Sequence, residues 1–152
     1  MDVTFDVVCS KGTYVRTLCA DIGEALGVGG HLAGLERRRV GRFDIEEALS
    51  LDELAALAAG EAIETRLYSM AAALADLPAL TVDQAAVDGV RHGVAVSATQ
   101  VIGMEGAWTA DACVRLLAPD GRLVAIGKAP CGPESLGQAP PGTVVKLEKV
   151  LA

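Results

Sequence analysis

The first third of the chain begins with a short alternating pattern and continues with a helical one. Val3, Phe5 and Val7 alternate with polar neighbours, which predicts a strand over residues 3–9. A helix should follow, with Thr13 as its N-cap and Gly27 as its left-handed stop. Its apolar positions recur three and four apart and predict a buried stripe: Val15, Leu18, Cys19, Ile22, Ala25 and Leu26.

Shorter elements are predicted up to the next proline boundary. A Gly-Gly pair opens a second short helix over residues 30–35, and residues 37–43 have the pattern of a strand. A capping-box motif at Ser50 begins a helix, and further helices are expected over 61–67 and 69–75. Residues 1–78 are therefore expected to form a mixed α/β unit.

The pattern changes after Pro78, which we take as the domain boundary. Asp83 should cap a short helix that ends near Gly93, and the Pro119-Asp120-Gly121 turn should join two strands in a hairpin. Residues 79–152 are thus predicted to be a small, mostly β domain, barrel-like in form, and the whole chain to be α+β. The predicted strands are Val94–Val96, Cys113–Leu117, Leu123–Ala129 and Val144–Leu151.

Composition and charge limit the possible functions. Apolar residues make up 51% of the chain, but no stretch approaches the length of a membrane span and no signal-peptide pattern occurs, so we expect a soluble, cytoplasmic protein. The four cysteines form no C-x-x-C pair, which favours reduced thiols over a metal or redox site. The net charge of -7 lies almost wholly in residues 43–78, which should therefore face away from any polyanion.

One dense motif carries candidate chemistry: C-S-K-G-T-Y-V-R-T-L over residues 9–18, continuing through D-I-G and L-G. It places a glycine turn before a helix, with Tyr14 and Arg16 in the first helical turn beside free backbone N–H groups, a natural anion site. An ordinary strand-to-helix turn with a solvated Arg16 explains the same pattern. The motif is not a P-loop, which requires G-x-x-x-x-G-K-[ST].

This motif, extended through G-G-H-L and the L-x-R-x-R-V-G-R-F run that ends at Phe43, resembles a signature segment of the TruB family of tRNA pseudouridine synthases. The resemblance fades across the acidic middle segment. It returns in L-T-V-x-Q-A and G-R-L-V-A-I-G, which are similar to an RNA-binding PUA domain. The family isomerises the uridine at position 55, in the T loop of tRNA, to pseudouridine without metal or cofactor.

The resemblance implies roles for individual residues. Tyr14 matches the family's active-site tyrosine, and Arg16 matches the arginine that pairs with the nucleophilic aspartate and keeps it ionised. Leu35 matches an aliphatic residue that contacts the extruded base, and Lys11 and Gly12 lie in the segment lining that pocket. The base must leave its stack, because a stacked uridine hides its glycosidic bond.

The basic run at residues 37–42 admits two interpretations. Arg37 and Arg39 could bind the tRNA backbone, or the run could be a solvated strand face; in a strand, those two would share one face and Arg38 and Arg42 the other. Relatives often carry arginine where this chain has Glu36, a position whose role stays open. His31 is expected to be structural, and Trp108 and His92 likewise.

The sequence also departs from the family. The nucleophilic aspartate belongs to a G-x-L-D-x-x-A-x-G-x-L motif that is missing here, and neither Asp21 nor Asp52 has that context. We therefore expect a fragment of a chain about twice as long, inactive alone and monomeric when whole. The resemblance further implies that the PUA domain contacts the acceptor stem. A non-catalytic PUA-type RNA-binding module is the first alternative. A dinucleotide-binding domain is a weaker alternative. Its glycine fingerprint follows a strand and opens a helix, whereas Gly27, Gly29 and Gly30 follow a helix.

Overall fold

The computed structural model describes residues 2–60, 62–140 and 142–151. The chain divides after Ala48 into two compact units. The first unit contains one helix and one small hairpin. The second contains four helices, six strands and most of the buried side chains of the described chain.

The first unit is built around helix α1, Val15–Ala25. Strands β1 (Arg39–Val40) and β2 (Phe43–Asp44) pair antiparallel across a tight turn at Gly41, and a 3₁₀ turn, Ile45–Glu47, follows. The short hairpin replaces the continuous strand predicted over 37–43. That prediction was wrong because Gly41, at φ +57°, reverses the chain inside the predicted run.

Glycines define the end of α1. Gly27 adopts φ +70°, as predicted for the helix stop, and the N–H groups of Val28 and Gly29 donate to the Gly23 carbonyl at 3.1 and 2.9 Å. Gly23 is buried, and a Cβ there would overlap the backbone of Gly29 and Gly30. Glycine is required at position 23 because the loop lies directly on the helix.

Three other predictions for this unit were wrong. Residues 2–10 form no strand, because within the described chain no segment pairs with their backbone groups. Residues 30–35 are irregular rather than helical, because the loop instead lies on Gly23. No apolar position of the stripe on α1 is fully buried, and Leu26 is 70% exposed, because within this unit no second apolar layer covers it.

The second unit opens with helices α2 (Leu51–Ala59) and α3 (Met70–Ala73), separated by a 3₁₀ turn, Ile63–Arg66. The predicted capping box is confirmed: the Ser50 hydroxyl accepts from the Glu53 N–H, and the Ser50 N–H donates to the Glu53 carboxylate at 2.8 Å. The predicted helix over 61–67 is a single 3₁₀ turn, and position 61 lies outside the described residues.

A six-stranded sheet forms the rest of the second unit and curls into half a barrel, as the predicted barrel-like domain requires. The strands are β3 (Ala79–Val82), β4 (Val96–Ser97), β5 (Val101–Glu105), β6 (Cys113–Leu117), β7 (Leu123–Lys128) and β8 (Val144–Val150). Their order in the sheet is β4-β8-β7-β6-β3-β5, and all neighbours are antiparallel except β3 and β6.

Most predicted features of this sheet are confirmed. β6 matches its predicted bounds, Asp83 caps helix α4 (Gln84–Arg91), and the turn at Gly121 joins β6 to β7. Strands β3 and β5 were missed. The strand predicted at 94–96 begins only at Val96, since Val94 instead bonds back to the Gly89 carbonyl. A short helix, α5 (Pro133–Leu136), lies in the predicted Gly/Pro loop, whose last residue lies outside the described chain.

The core of the second unit is aliphatic and has one aromatic member. Trp108 is 8% exposed and donates its indole N–H to the Cys131 carbonyl at 2.9 Å, so its predicted packing role is confirmed. The ring packs in a cluster of fully buried aliphatic side chains from the sheet and α4: Leu80, Val82, Val87, Val90, Val96, Val114, Leu116, Val124 and Val145. Burial of this set is the main stabilising term for the unit.

Arg115 is the buried charged residue of this unit and ties the sheet to the preceding segment. Its side chain is 7% exposed, and its guanidinium donates to the carbonyls of Leu77 at 2.9 Å and Ala71 at 3.0 Å. The Arg115 N–H also donates to the Pro78 carbonyl at 2.8 Å. The Arg115 side chain therefore links the segment around α3 to the sheet.

Candidate functional site

The candidate site begins at the turn that leads into α1. Gly12 adopts φ +88°, and the Thr13 N–H reaches the Ser10 carbonyl at 3.4 Å. Tyr14, rather than the predicted Thr13, is the N-cap, because its carbonyl accepts the first helical hydrogen bond, from Leu18 at 3.1 Å. The Tyr14 side chain makes no capping bond and is 73% exposed. The phenol is thus free to contact a ligand.

Arg16 follows in the first turn of α1 and is exposed. In the described chain no hydrogen bond or ion pair engages its guanidinium, and the first turn holds no acidic residue. The positive end of the helix dipole and an unpaired guanidinium therefore lie together, an arrangement that attracts an anion. Lys11, also exposed, adds a second cation at the same turn.

The remaining predicted site residues lie beyond the loop that crosses α1. Leu35 is 58% exposed, and Arg37 and Arg39 are exposed. Among the described residues, no side-chain hydrogen bond or ion pair connects them to Tyr14 or Arg16. The structure thus groups the motif residues at the start of α1 and leaves the loop residues as a separate exposed set.

The basic run at residues 37–42 does not form a strand with two faces. Only Arg39 belongs to a strand, Arg42 lies in the hairpin turn, and Arg38 lies 3.8 Å from the Glu36 carboxylate. His31 is exposed and lies in the irregular segment. Glu36 therefore partly neutralises the run, and both side chains of that pair are largely solvated, so the pair adds little stability.

The described residues include neither a cluster of metal ligands nor a membrane-spanning helix. Within the described ranges, no group of three or more histidine, cysteine or acidic side chains could hold a metal ion. The four cysteines are free thiols. No helix in the described part of the chain is long and apolar enough to cross a bilayer.

Two family models match the chain in succession. Residues 16–76 match the C-terminal domain of tRNA pseudouridylate synthase B, and residues 78–151 match the PUA domain. The chain belongs to the TruB family of tRNA pseudouridine synthases. The first range begins inside the motif, at residue 16, and continues through the acidic segment, where the resemblance was expected to fade. The second range includes both segments that are similar to a PUA domain.

Curated relatives of this TruB-family chain are named tRNA pseudouridine synthase B. A tRNA pseudouridine synthase B from Burkholderia mallei is 41% identical over 128 residues, which is 84% of this chain and 42% of the relative. A probable tRNA pseudouridine synthase B from Archaeoglobus fulgidus is 34% identical and covers 99% of this chain and 48% of the relative. The chain thus spans less than half the length of these relatives.

Solved structures agree with the family. The archaeal box H/ACA sRNP Nop10-Cbf5 complex contains a chain that aligns with a TM-score of 0.78 at 30% identity, over 93% of this chain and 48% of that one. An H/ACA RNP bound to a substrate RNA containing 2'-deoxyuridine gives a TM-score of 0.81 at 29% identity, over 93% and 47%. The fold of this TruB-family chain is therefore shared with a chain of each of these two complexes.

Sequence reasoning missed two groups of residues in the second unit. Arg115 has no local signal, because its partners lie 38 and 44 residues away in the chain. Lys128, Lys146 and Lys149 were not considered as a group, because their common face depends on strand register. Only the finished sheet reveals these two features.

Proposed function

We propose that this chain forms the C-terminal part of an enzyme that isomerises the uridine at position 55 of tRNA to pseudouridine. The observation that supports the proposal best is the start of α1, where exposed Tyr14 and unpaired Arg16 lie inside the family's signature segment. Tyr14 would contact the extruded nucleotide, and Arg16 would orient an aspartate that this chain lacks. Residues 1–78 would complete a catalytic domain, and residues 79–152 would bind RNA as a PUA domain.

The described residues of the first unit form no hydrophobic core, which supports the proposal that they are part of a larger catalytic domain. Gly23 is the one buried residue among the described positions of that unit, while apolar side chains along residues 3–8 and Leu26 are exposed. Such a surface is expected to pack against further apolar chain. A segment supplying both the missing aspartate and a covering layer would complete the site.

The partners follow from the same proposal. The T loop would provide the target base to the site at Tyr14, and the PUA domain would contact the acceptor stem. Recognition would rest on RNA shape and backbone together with one extruded base. We further propose that the complete enzyme acts as a cytoplasmic monomer and needs no metal or cofactor.

The test is single-turnover pseudouridine formation on an unmodified T-loop RNA. The chain would be assayed alone, and fused to the part of the Burkholderia mallei relative that it does not cover. We expect activity only in the fusion. Tyr14→Phe should then lower the rate by about 10²-fold or more, as expected for loss of a group that moves a proton. Arg16→Lys should also lower it, because an ammonium lacks the planar fork that orients a carboxylate.

Matched controls use the other tyrosine and an arginine of the acidic segment. Tyr68→Phe and Arg66→Lys should leave the fusion's rate unchanged. Activity from the isolated chain would contradict the claim that the nucleophile lies elsewhere. A fusion whose rate ignored Tyr14→Phe and Arg16→Lys would contradict their assigned roles.

A second candidate function is RNA binding without catalysis. It is favoured by one observation: the buried aliphatic cluster lies wholly within residues 80–145, so the PUA unit has a core of its own. Under this alternative the chain binds tRNA alone, but no fusion is active. The same fusion assay therefore separates the two candidates.

A further inference from the structure

Three of the chain's four lysines lie on two adjacent strands of the sheet: Lys128 on β7, and Lys146 and Lys149 on β8. Lys146 and Lys149 are three residues apart, and residues three apart in a regular strand point to opposite faces. The sequence alone therefore does not place these lysines on one face. The strand register changes this. Lys128 pairs with Lys146 and Ile126 pairs with Lys149, with a shift between Ile126 and Gly127.

The register shift places all three lysines on one face. Lys128 and Ile126 are two apart on β7 and share a face, so their partners on β8 share it too. Glu148 is the extra residue of the resulting bulge. From strand geometry, the three Cα positions fall within about 8 Å of one another. The bulge therefore gathers a cationic group that the sequence separates.

This arrangement has a cost within the protein. Lys128 and Lys146 are directly opposite across the strand pair, and like charges in that position destabilise a sheet. Protection of a free strand edge could explain lysines on β8, since β4 pairs only with its first two residues. It does not explain Lys128, because β7 is paired on both sides.

We propose that Lys128, Lys146 and Lys149, here called the lysine face, bind the phosphate backbone of RNA. All three side chains are exposed, and only Lys128 has an ion pair in the described chain, with Glu148 at 3.3 Å. The rest of residues 79–152 is acidic in balance, so this is where the unit concentrates positive charge. The inference rests on the proposed RNA binding and names the surface responsible.

Glu148 modulates this surface. The Glu148 carboxylate lies 3.3 Å from the Lys128 ammonium and would compete with a bound phosphate for that ammonium. Removal of its charge should therefore strengthen RNA binding, whereas removal of lysines should weaken it. Changes in both directions are a sharper test than loss alone.

The experiment measures fluorescence anisotropy of a labelled, unmodified tRNA transcript with the whole chain from 50 to 200 mM salt. The double variant Lys146→Gln, Lys149→Gln should bind about tenfold more weakly at low salt, and the slope of log K against log salt should become shallower by about 1.5. Glu148→Gln should bind about threefold more tightly. The control Arg66→Gln, Arg122→Gln removes two positive charges outside the lysine face and should have a small effect.

Each outcome decides a claim. If both double variants lose affinity equally, net charge rather than the lysine face governs binding, and the inference fails while RNA binding stands. If the unaltered chain does not bind tRNA, RNA binding by this unit and the lysine face fail together. Thermal unfolding followed by Trp108 fluorescence must be unchanged or raised in the lysine variant, because the substitution relieves repulsion.

Discussion

Replacement of Arg115 by methionine should strongly destabilise the second unit. The variant keeps an unbranched apolar stem of similar length but loses two hydrogen bonds from a buried charged donor, to Leu77 at 2.9 Å and Ala71 at 3.0 Å. A hydrogen bond to a charged group contributes about 1.5–3 kcal/mol, so we expect a loss of about 3 kcal/mol or more. The Glu105 carboxylate, 4.0 Å away and largely solvated, adds little.

The assay uses the single tryptophan. Trp108 is buried in the core of this unit, so its fluorescence reports unfolding of the sheet and not of the first unit. A loss of about 3 kcal/mol corresponds to a fall in Tm of about 12–24 °C for a domain of this size. Arg122→Met is the matched control, because Arg122 is half-exposed and its ion pair with Asp120 is solvated. The Tm of this variant should change by a few degrees at most.

A double-mutant cycle extends the test. A chain that begins at residue 79 lacks both carbonyl partners of Arg115 and should be destabilised by a similar amount. Arg115→Met added to that truncation should then cost much less than it costs in the whole chain. Additive losses, or a fall of under about 1 kcal/mol for Arg115→Met alone, would refute the assigned role of the guanidinium.

Three further predictions concern a glycine, a helix cap and a thiol. Gly23→Ala should destabilise the first unit by about 1–3 kcal/mol, because the new Cβ overlaps the facing loop. This loss outweighs the better helix propensity of alanine. Loss of helical circular dichroism on heating would measure the change in stability. Ser50→Ala should weaken helix α2 by about 1 kcal/mol. Hydrogen bonds from the Ser50 N–H and hydroxyl hold the pKa of Glu53 below its usual 4.5. The cap therefore stabilises α2 above about pH 4.5, and this stabilisation is lost as the pH falls through the lowered pKa. Burial and then the Glu148 charge raise the pKa of the Cys113 thiol, so it should be alkylated more slowly than exposed Cys9 at pH 8.

Each of these predictions has a discriminating control. Gly34→Ala changes a glycine whose Cβ would meet open space and should be nearly neutral. In Ser50→Ala, the acid dependence of α2 should shrink; if it persists unchanged, the cap is not its source. Equal alkylation rates for the two thiols would contradict the effect of burial at Cys113.

The sequence predicted the second unit better than the first for a physical reason. Asp83, the turn at Gly121 and strand β6 were predicted from local signals, and the unit contains the core that those signals require. Strand 3–9 carries an equally clear alternation but forms no strand, because a strand is stabilised by partners that no segment of the described chain provides. Local pattern predicts an element only where tertiary partners exist.

The site shows the same limit at the level of side chains. The motif located Tyr14 and Arg16 at the start of a helix, which the structure contains, although the cap lies one residue later than predicted. Arg115 and the lysine face escaped prediction because each depends on contacts between residues far apart in sequence or on a bulge. A one-residue change of register moves side chains to the other face of a strand, and no local pattern records it.

Stability and candidate chemistry lie in different units of this chain, and that separation makes the proposals testable one at a time. Tyr14 and Arg16 lie in a unit whose described residues bury only Gly23, whereas Trp108 and the aliphatic cluster lie in the other. Substitution of an exposed Tyr14 removes no core packing, so a lost rate in the fusion cannot be attributed to unfolding of the sheet. Conversely, Arg115 variants alter the Trp108 transition without touching the residues proposed for catalysis. A fusion in which Arg115→Met lowered Tm but left the rate per folded molecule intact would therefore locate the chemistry in the first unit and the stability in the second.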